Sequence, residues 1–229
     1  SVSFFSRITE CKLSSGSFGV GNFFLPSDEG QHERATQLVE EHLTAAGLKI
    51  IKTRELPVDK NQIRSRAVKW QLPIKQWIFM SNKQTDEKMF ERQIHRALLS
   101  IEAVAYSDSK LDGLYPLSMS SRLQVLKGRL NSWELIPYFL DLDAKDHRIH
   151  TLYFHTRFST NTDPHPTMAQ PFRLMAHNGE LNTDKKNRLS EAAVALARDK
   201  SIVRPKGQSD SCRLDQTLNS RVFDDGLGL

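Results

Sequence analysis

The order of apolar and polar residues predicts short strands that alternate with amphipathic helices. Residues 19–26 are largely apolar and end at a proline, which is typical of a short buried strand. Asp28 follows as a candidate helix N-cap, and Gln31 completes a capping box with it. Apolar residues at helical spacing then continue to Gly47, where we expect the helix to end. Residues 48–51 are predicted to form the next strand.

The middle of the chain repeats this alternation. Residues 68–80 are predicted to be extended, and an apolar stripe at helical spacing predicts a helix over residues 86–100. Residues 114–120 and 123–127 resemble two strands separated by a polar turn. Ser132 is the predicted cap of a short helix.

The C-terminal third contains the clearest strand pattern. Residues 149–159 alternate along the predicted strand, and residues 174–177 form a shorter predicted strand that ends at an Asn-Gly pair. Helices are predicted over 187–200 and 214–222. Because strands and helices are mixed with few βαβ units, the pattern favours an α+β fold with antiparallel sheets between helices.

Composition narrows the class of protein without identifying it. The chain has 229 residues and a formal net charge of +5, which fits one globular domain of ordinary composition. Its two cysteines cannot build a disulfide framework, so a reducing compartment is expected. The sequence has neither an apolar run of about 18 residues nor a signal-peptide pattern. We therefore expect no association with a membrane.

The densest basic stretch extends from Arg54 to Lys75 and is interleaved with Trp70 and Trp77. Such a stretch could bind a nucleic acid through phosphate contacts and base stacking. It could equally be a segment with one solvent-exposed basic face and one buried aromatic face. No nucleic-acid-binding signature accompanies it, so we favour the second interpretation and expect no nucleic-acid partner.

Three stretches carry an unusual density of polar residues on short predicted elements. An arginine on an apolar strand needs an anion, and the Arg157 guanidinium could hold a carboxylate. The Asn178 amide and the Gly179 N–H could stabilise an oxyanion, and Asp210 could hold an ammonium group. Together these groups describe a site for an α-amino acid that undergoes acyl transfer. The stretches are residues 155–162, 169–183 and 208–211.

Each of these signals has a structural alternative. His-Asn-Gly is a common turn sequence, Arg157 could be a structural ion-pair partner, and Ser-Asp-Ser is a plausible helix N-cap. Taken singly, the structural explanation is the commoner one. The three signals in this order are much less expected by chance.

The same stretches resemble a known family. HTRFSTNT, AQPFRLMAHNGELNT and SDS followed by LD resemble the glutaminase domain of the glutamate synthase large subunit, a class II glutamine amidotransferase. FGVGNFFLP, FERQIHRAL and LSMSSRLQVLKGRL resemble that domain in the same order, so the resemblance covers about residues 18–218. It implies an αββα N-terminal-nucleophile (Ntn) hydrolase sandwich, with two mostly antiparallel sheets between helical layers.

The resemblance also implies roles for individual residues. It places the substrate-binding arginine on Arg157, the oxyanion hole on Asn178 and Gly179, and the amino-acid-binding aspartate on Asp210. In this family an N-terminal cysteine attacks the carboxamide of L-glutamine, ammonia leaves, and water releases glutamate from the thioester. The ammonia passes to a synthase domain or subunit, which links the domain to glutamate biosynthesis and ammonia assimilation.

No N-terminal cysteine is present in this sequence. Ser1 and the residues after it align inside the family's domain, so we expect residues 1–229 to be one such domain, truncated at the N-terminus and also at the C-terminus. The nucleophile would then lie upstream of this chain, and the chain alone would be inactive. Cys11 and Cys212 are interpreted as structural or incidental, although the predicted helix start near Cys212 leaves a reactive role open.

Cofactors are not expected in this domain. The histidines show no ligand spacing paired with cysteine, so no metal is predicted. The resemblance places the FMN and iron–sulfur cluster of glutamate synthases in other domains. It implies a location in the cytoplasm, or in an organelle matrix or stroma. The alternative function is a degenerate, non-catalytic module of the same fold that binds glutamine or a partner.

Overall fold

The computed structural model describes residues 1–156, 165–177, 185–197 and 209–226. Within these ranges, four strands form one antiparallel sheet in the order β2-β3-β1-β4. The strands are β1 (Gly19–Phe24), β2 (Leu48–Glu55), β3 (Ile74–Ser81) and β4 (Tyr115–Ser120). The helices are α1 (Val2–Thr9), α2 (Glu29–Ala45), α3 (Ser65–Val68), α4 (Glu87–Ala105), α5 (Leu135–Tyr138), α6 (Lys185–Ala197) and α7 (Asp210–Phe223).

Strand β1 lies in the interior of the sheet, between β3 and β4, and is buried along its whole length. Its apolar composition is explained by this position, because a strand covered on both faces has no solvated side. Gly19 is required by close packing, since a Cβ atom there would lie 2.4 Å from a ring carbon of Phe79 on β3.

Helices α2 and α4 cover one face of the sheet. Each begins at an aspartate whose carboxylate accepts a backbone hydrogen bond: Asp28 for α2, and Asp86 for α4. Their apolar stripes pack against the strands in one core cluster, in which Val39, Ile94 and Trp77 have no solvent exposure. This helical layer and the sheet form the rigid frame of the domain.

The other face of the sheet is covered by α1 and by the segment that follows β4. It contains a buried polar network in which Arg54 forms an ion pair with Asp141 and donates to Gln76. Gln76 in turn donates to Asn22 over 2.9 Å. A charged group on this face is tolerated because each of its donors has an acceptor.

Several elements confirm the sequence predictions. The first strand, the cap at Asp28 and the helix end before Gly47 occur as expected, and Gly47 has a positive φ of 76°. The helix after Asp86 and the final helix are also present, although both extend beyond the predicted bounds. The α+β class is confirmed, and the described residues contain one sheet.

Three predictions for the middle of the chain are wrong in detail. Residues 123–127 are not a strand, because Val125 donates its N–H to the Ser118 hydroxyl and accepts from the Asn22 amide. The extended segment predicted from Val68 begins only at β3, after the short helix α3. The short helical segment after β4 is capped by Asn131, with Glu134 completing a capping box, and not by Ser132.

The strongest predicted strand is also wrong for its described part. Residues 149–156 form no strand, and Leu152, Tyr153 and Phe154 are 63–71% exposed. A strand needs a hydrogen-bonded neighbour, and no described strand pairs with this segment. Residues 174–177 are irregular as well, since the Phe172 N–H turns back to the Met175 carbonyl oxygen over 2.9 Å.

Candidate active site

Of the four predicted site residues, the structure describes Asp210. It is the first residue of α7 and is partly exposed. The preceding Ser209 caps the helix, since its hydroxyl accepts the Cys212 N–H over 3.2 Å. Arg157, Asn178 and Gly179 lie outside the described residues, but the segment 165–177 that leads to Asn178 is described.

The residue before Asn178 contacts the residue after Asp210. The imidazole Nε2 of His177 and the hydroxyl of Ser211 are hydrogen-bonded at 2.7 Å. The backbone N–H of His177 also donates to the Gln170 side-chain oxygen over 2.8 Å. The structure thus brings together the flanks of two of the three polar stretches, which are more than thirty residues apart in sequence.

A second set of hydrogen bonds joins the segment before Asn178 to α7 at Asp215, which is 2% exposed. Its Oδ1 accepts the backbone N–H groups of Leu174 and Met175 over 2.7 and 2.9 Å. Its Oδ2 accepts the Arg173 N–H and the Asn219 amide, each over 3.2 Å. One carboxylate on α7 therefore accepts hydrogen bonds from three consecutive backbone amides of a partly buried, irregular segment.

The side chain of Arg173 anchors this segment to the frame of the domain. Its guanidinium forms a buried ion pair with Glu102 on α4 and donates to the Pro116 carbonyl oxygen on β4 over 3.2 Å. Burial alone would lower the pKa of Arg173, but the attraction of Glu102 and other acidic neighbours raises it overall. Arg173 is therefore a permanent cation with a fixed partner.

Lys127 and Cys212 complete the buried cluster beside the ion pair. Burial lowers the pKa of Lys127 to about 8, against the attraction of Cys212 and Asp215. Its ammonium lies 4.7 Å from the centroid of the Phe172 ring, which supplies a cation–π contact. Burial also raises the pKa of the Asp215 carboxyl, although Arg173 and the backbone amides act in the opposite direction.

Cys212 does not have the environment of a reactive thiol. Cys212 is 3% exposed, its Sγ lies 3.4 Å from the Tyr115 hydroxyl oxygen, and burial raises its pKa. A thiol held in its protonated form is a poor nucleophile. Cys11 is exposed just after α1. Among the described residues, no group of histidine, cysteine or acidic side chains is placed to hold a metal ion.

Sequence reasoning assigned no role to the residues that build this cluster. Arg173 and Asp215 stand inside the motifs quoted above, and His177 precedes the Asn-Gly pair. The available signal was a charge flanked by apolar residues, as in Phe172-Arg173-Leu174, because such a charge must be paired when the segment is buried. The partner, Glu102, lies 71 positions away in the sequence, so no local pattern around Arg173 indicates it.

The fold and site define an α+β domain in which a helix N-terminus and a preceding irregular segment are bound together through buried polar groups. The chain belongs to the class II glutamine amidotransferases, because the profile of that family matches residues 2–224. The resemblance found in its motifs is therefore confirmed.

The similar proteins are glutamate synthases. A chloroplastic ferredoxin-dependent glutamate synthase of Oryza sativa subsp. japonica is 37% identical over 211 residues, which cover 87% of this chain and 13% of the relative. The chloroplastic/mitochondrial ferredoxin-dependent glutamate synthase 1 of Arabidopsis thaliana is 33% identical over a match that covers 89% of this chain and 13% of the relative. The NADPH glutamate synthase large chain of Azospirillum brasilense is 32% identical over a match that covers 73% of this chain and 11% of the relative. The chain thus spans about an eighth of the length of these relatives.

The chain is accordingly a glutamine amidotransferase domain of the glutamate synthase type. In the part that the structure describes, no helix is both long and apolar enough to cross a membrane.

Proposed function

We propose that this domain takes part in the hydrolysis of L-glutamine to glutamate and ammonia. Arg157 holds the substrate carboxylate, Asp210 holds its ammonium group, and Asn178 with the Gly179 N–H stabilises the oxyanion of the tetrahedral intermediate. These roles rest on family membership and on the chemistry of each group. A thiolate attack forms the thioester and releases ammonia, and water then releases glutamate.

The observation that supports this proposal is the contact between the segment that ends at His177 and the start of α7. The His177–Ser211 hydrogen bond and the Asp215 bonds hold the approach to the Asn-Gly pair against the helix that begins at Asp210. This contact brings the end of the described segment, at His177, next to the start of the helix that carries Asp210. Catalysis of this kind requires such fixed geometry.

The thiol nucleophile is proposed to come from outside these 229 residues. Cys212 is buried with a raised pKa, and Cys11 is not at a chain terminus, whereas the family's base is the α-amine of the nucleophilic cysteine itself. We expect the 229 residues alone to lack hydrolase activity for this reason.

The wider setting follows from the relatives. We propose that the antiparallel sheet formed by the described residues, with its helical layer, is one half of an αββα sandwich. The released ammonia would pass to a synthase domain or subunit, and any FMN or iron–sulfur cluster would lie there. The cytoplasm, or an organelle matrix or stroma, is the proposed location, and two of the plant relatives carry chloroplastic in their names.

Glutamate release from L-glutamine by the intact protein that carries this sequence tests the proposal. Asn178→Ala should lower kcat by about 10²–10³-fold, because it removes one oxyanion donor. Arg157→Ala and Asp210→Ala should mainly raise KM, because both residues bind the unreactive end of the substrate.

A matched control is Asp225→Asn, which removes an ion pair with Arg221 at the end of α7 and should leave both constants unchanged. Wild-type kinetics in all three site variants would overturn the proposal. Calorimetric binding of glutamine without any hydrolysis would instead favour the non-catalytic module.

A further inference from the structure

The segment before Asn178 has no secondary structure of its own, yet its position is strongly determined. Residues 171–177 are assigned to no helix or strand. Three successive N–H groups of this segment, at Arg173, Leu174 and Met175, converge on the carboxylate of Asp215. Hydrogen bonds to an ionised acceptor are about twice as strong as neutral ones, so this carboxylate restrains the segment strongly.

Asp215 is itself held in place from within α7. The Asn219 amide donates to the Asp215 backbone oxygen over 2.8 Å and to its Oδ2 over 3.2 Å. Asp215 stands five positions after Asp210, so the carboxylate lies on the helix that the proposed ammonium holder begins.

Met175 is three residues before Asn178, so a displacement of the bonded amides is passed along a short, irregular stretch of backbone. The Arg173–Glu102 ion pair fixes the far side of the same segment. The three amides face one carboxylate with two oxygens, and each oxygen accepts at least one of them. An asparagine offers a single oxygen and turns an NH₂ donor towards the remaining amide, so it cannot replace the carboxylate.

On this geometry we propose that Asp215 is a positioning residue for glutamine hydrolysis, which sets the oxyanion hole at Asn178 and Gly179 relative to the substrate held at Asp210. The inference rests on the proposed function. Asp215 acts through the backbone of residues 173–175 and does not itself contact the substrate.

The test is the steady-state kinetics of Asp215→Asn in the intact protein. The expected result is a loss in kcat of about 10²-fold, because a misplacement of roughly 1 Å has that effect. KM should stay within about threefold of the wild type, because the proposed substrate-binding residues are untouched. The matched control is Asp141→Asn, which weakens the buried ion pair with Arg54 on the other face of the sheet and leaves all three amide bonds to Asp215 in place, so it should retain the wild-type kcat.

A folded Asp215→Asn protein with wild-type kcat, or with a loss confined to KM, would overturn the inference. A purely structural role would lower the melting temperature of both variants and leave kcat alike in both. An inactive wild-type protein would instead overturn the proposed function, whereas an active wild type beside an unchanged variant overturns only the role of Asp215.

Amide hydrogen exchange of the wild-type protein tests the geometry without a variant. The Leu174 and Met175 amides should exchange as slowly as the interior amides of α7, although they lie in an irregular segment. Exchange at the rate of an unstructured peptide would overturn the inference even if Asp215→Asn fails to fold.

Discussion

Lys127 offers a direct measurement of the electrostatics of the buried cluster. Its side chain is 6% exposed, and burial lowers its pKa from 10.5 to about 8. At about 1.4 kcal/mol per pH unit, this difference corresponds to roughly 3 kcal/mol of destabilisation when both folded and unfolded states are protonated. Lys127→Met removes the charge and keeps an unbranched apolar stem of similar length.

The sign of the effect follows from proton binding. Between pH 8 and pH 10.5 the unfolded chain holds a proton on Lys127 that the folded chain has lost. The stability of the wild type therefore rises with pH across this window, whereas the variant has no such contribution. The variant also loses the contact between the ammonium and the Phe172 ring, which reduces the expected gain in stability by about 1 kcal/mol.

We therefore expect Lys127→Met to raise the free energy of unfolding by about 2 kcal/mol at pH 7, with the difference shrinking towards zero by about pH 10. Urea unfolding followed by circular dichroism at both pH values measures this difference. Lys83→Met is the control, because Lys83 is exposed and lies outside every helix and strand; it should change little at either pH. A variant less stable than the wild type at pH 7, or a difference that does not depend on pH, would refute the reasoning.

Two further predictions concern packing and reactivity. Gly19→Ala should destabilise the protein by about 1–3 kcal/mol, because the new methyl group collides with the Phe79 ring, whereas Gly30→Ala on the open surface of α2 should be neutral or stabilising by about 0.5 kcal/mol. Thermal unfolding compares the two, and equal melting temperatures would contradict the close packing. A thiol reagent should modify Cys11 in the native protein and Cys212 only in denaturant, and rapid native labelling of both would show that Cys212 is not buried.

The helical layer and the central strand were the parts of the fold most open to sequence reasoning. Their signals are local: Asp28 and Asp86 are caps, Gly47 ends a helix, and the apolar run after residue 18 is a buried strand. Each of these features depends on hydrogen bonds or steric contacts within a few residues, so a short stretch of sequence is enough to predict it.

The strand predictions failed where the outcome depended on a distant partner. The local pattern of residues 149–156 predicts a strand, but a local pattern specifies no neighbour, and no described strand pairs with these residues. Val125 has the apolar pattern of a strand, yet its backbone bonds to the side chains of Asn22 and Ser118. Side-chain competition for backbone groups leaves no periodic signal.

The motifs of the sequence by themselves determined the family, and with it the proposed roles of Arg157, Asn178, Gly179 and Asp210. The tertiary structure alone decided what supports such a site. It places the Asp215 carboxylate beneath three amides of a segment some forty residues earlier, and it pairs Arg173 with Glu102 on another helix. The physical reason is that a buried charge must be paired or hydrogen-bonded. The sequence shows that such a charge is present, but which residue becomes its partner depends on the tertiary fold.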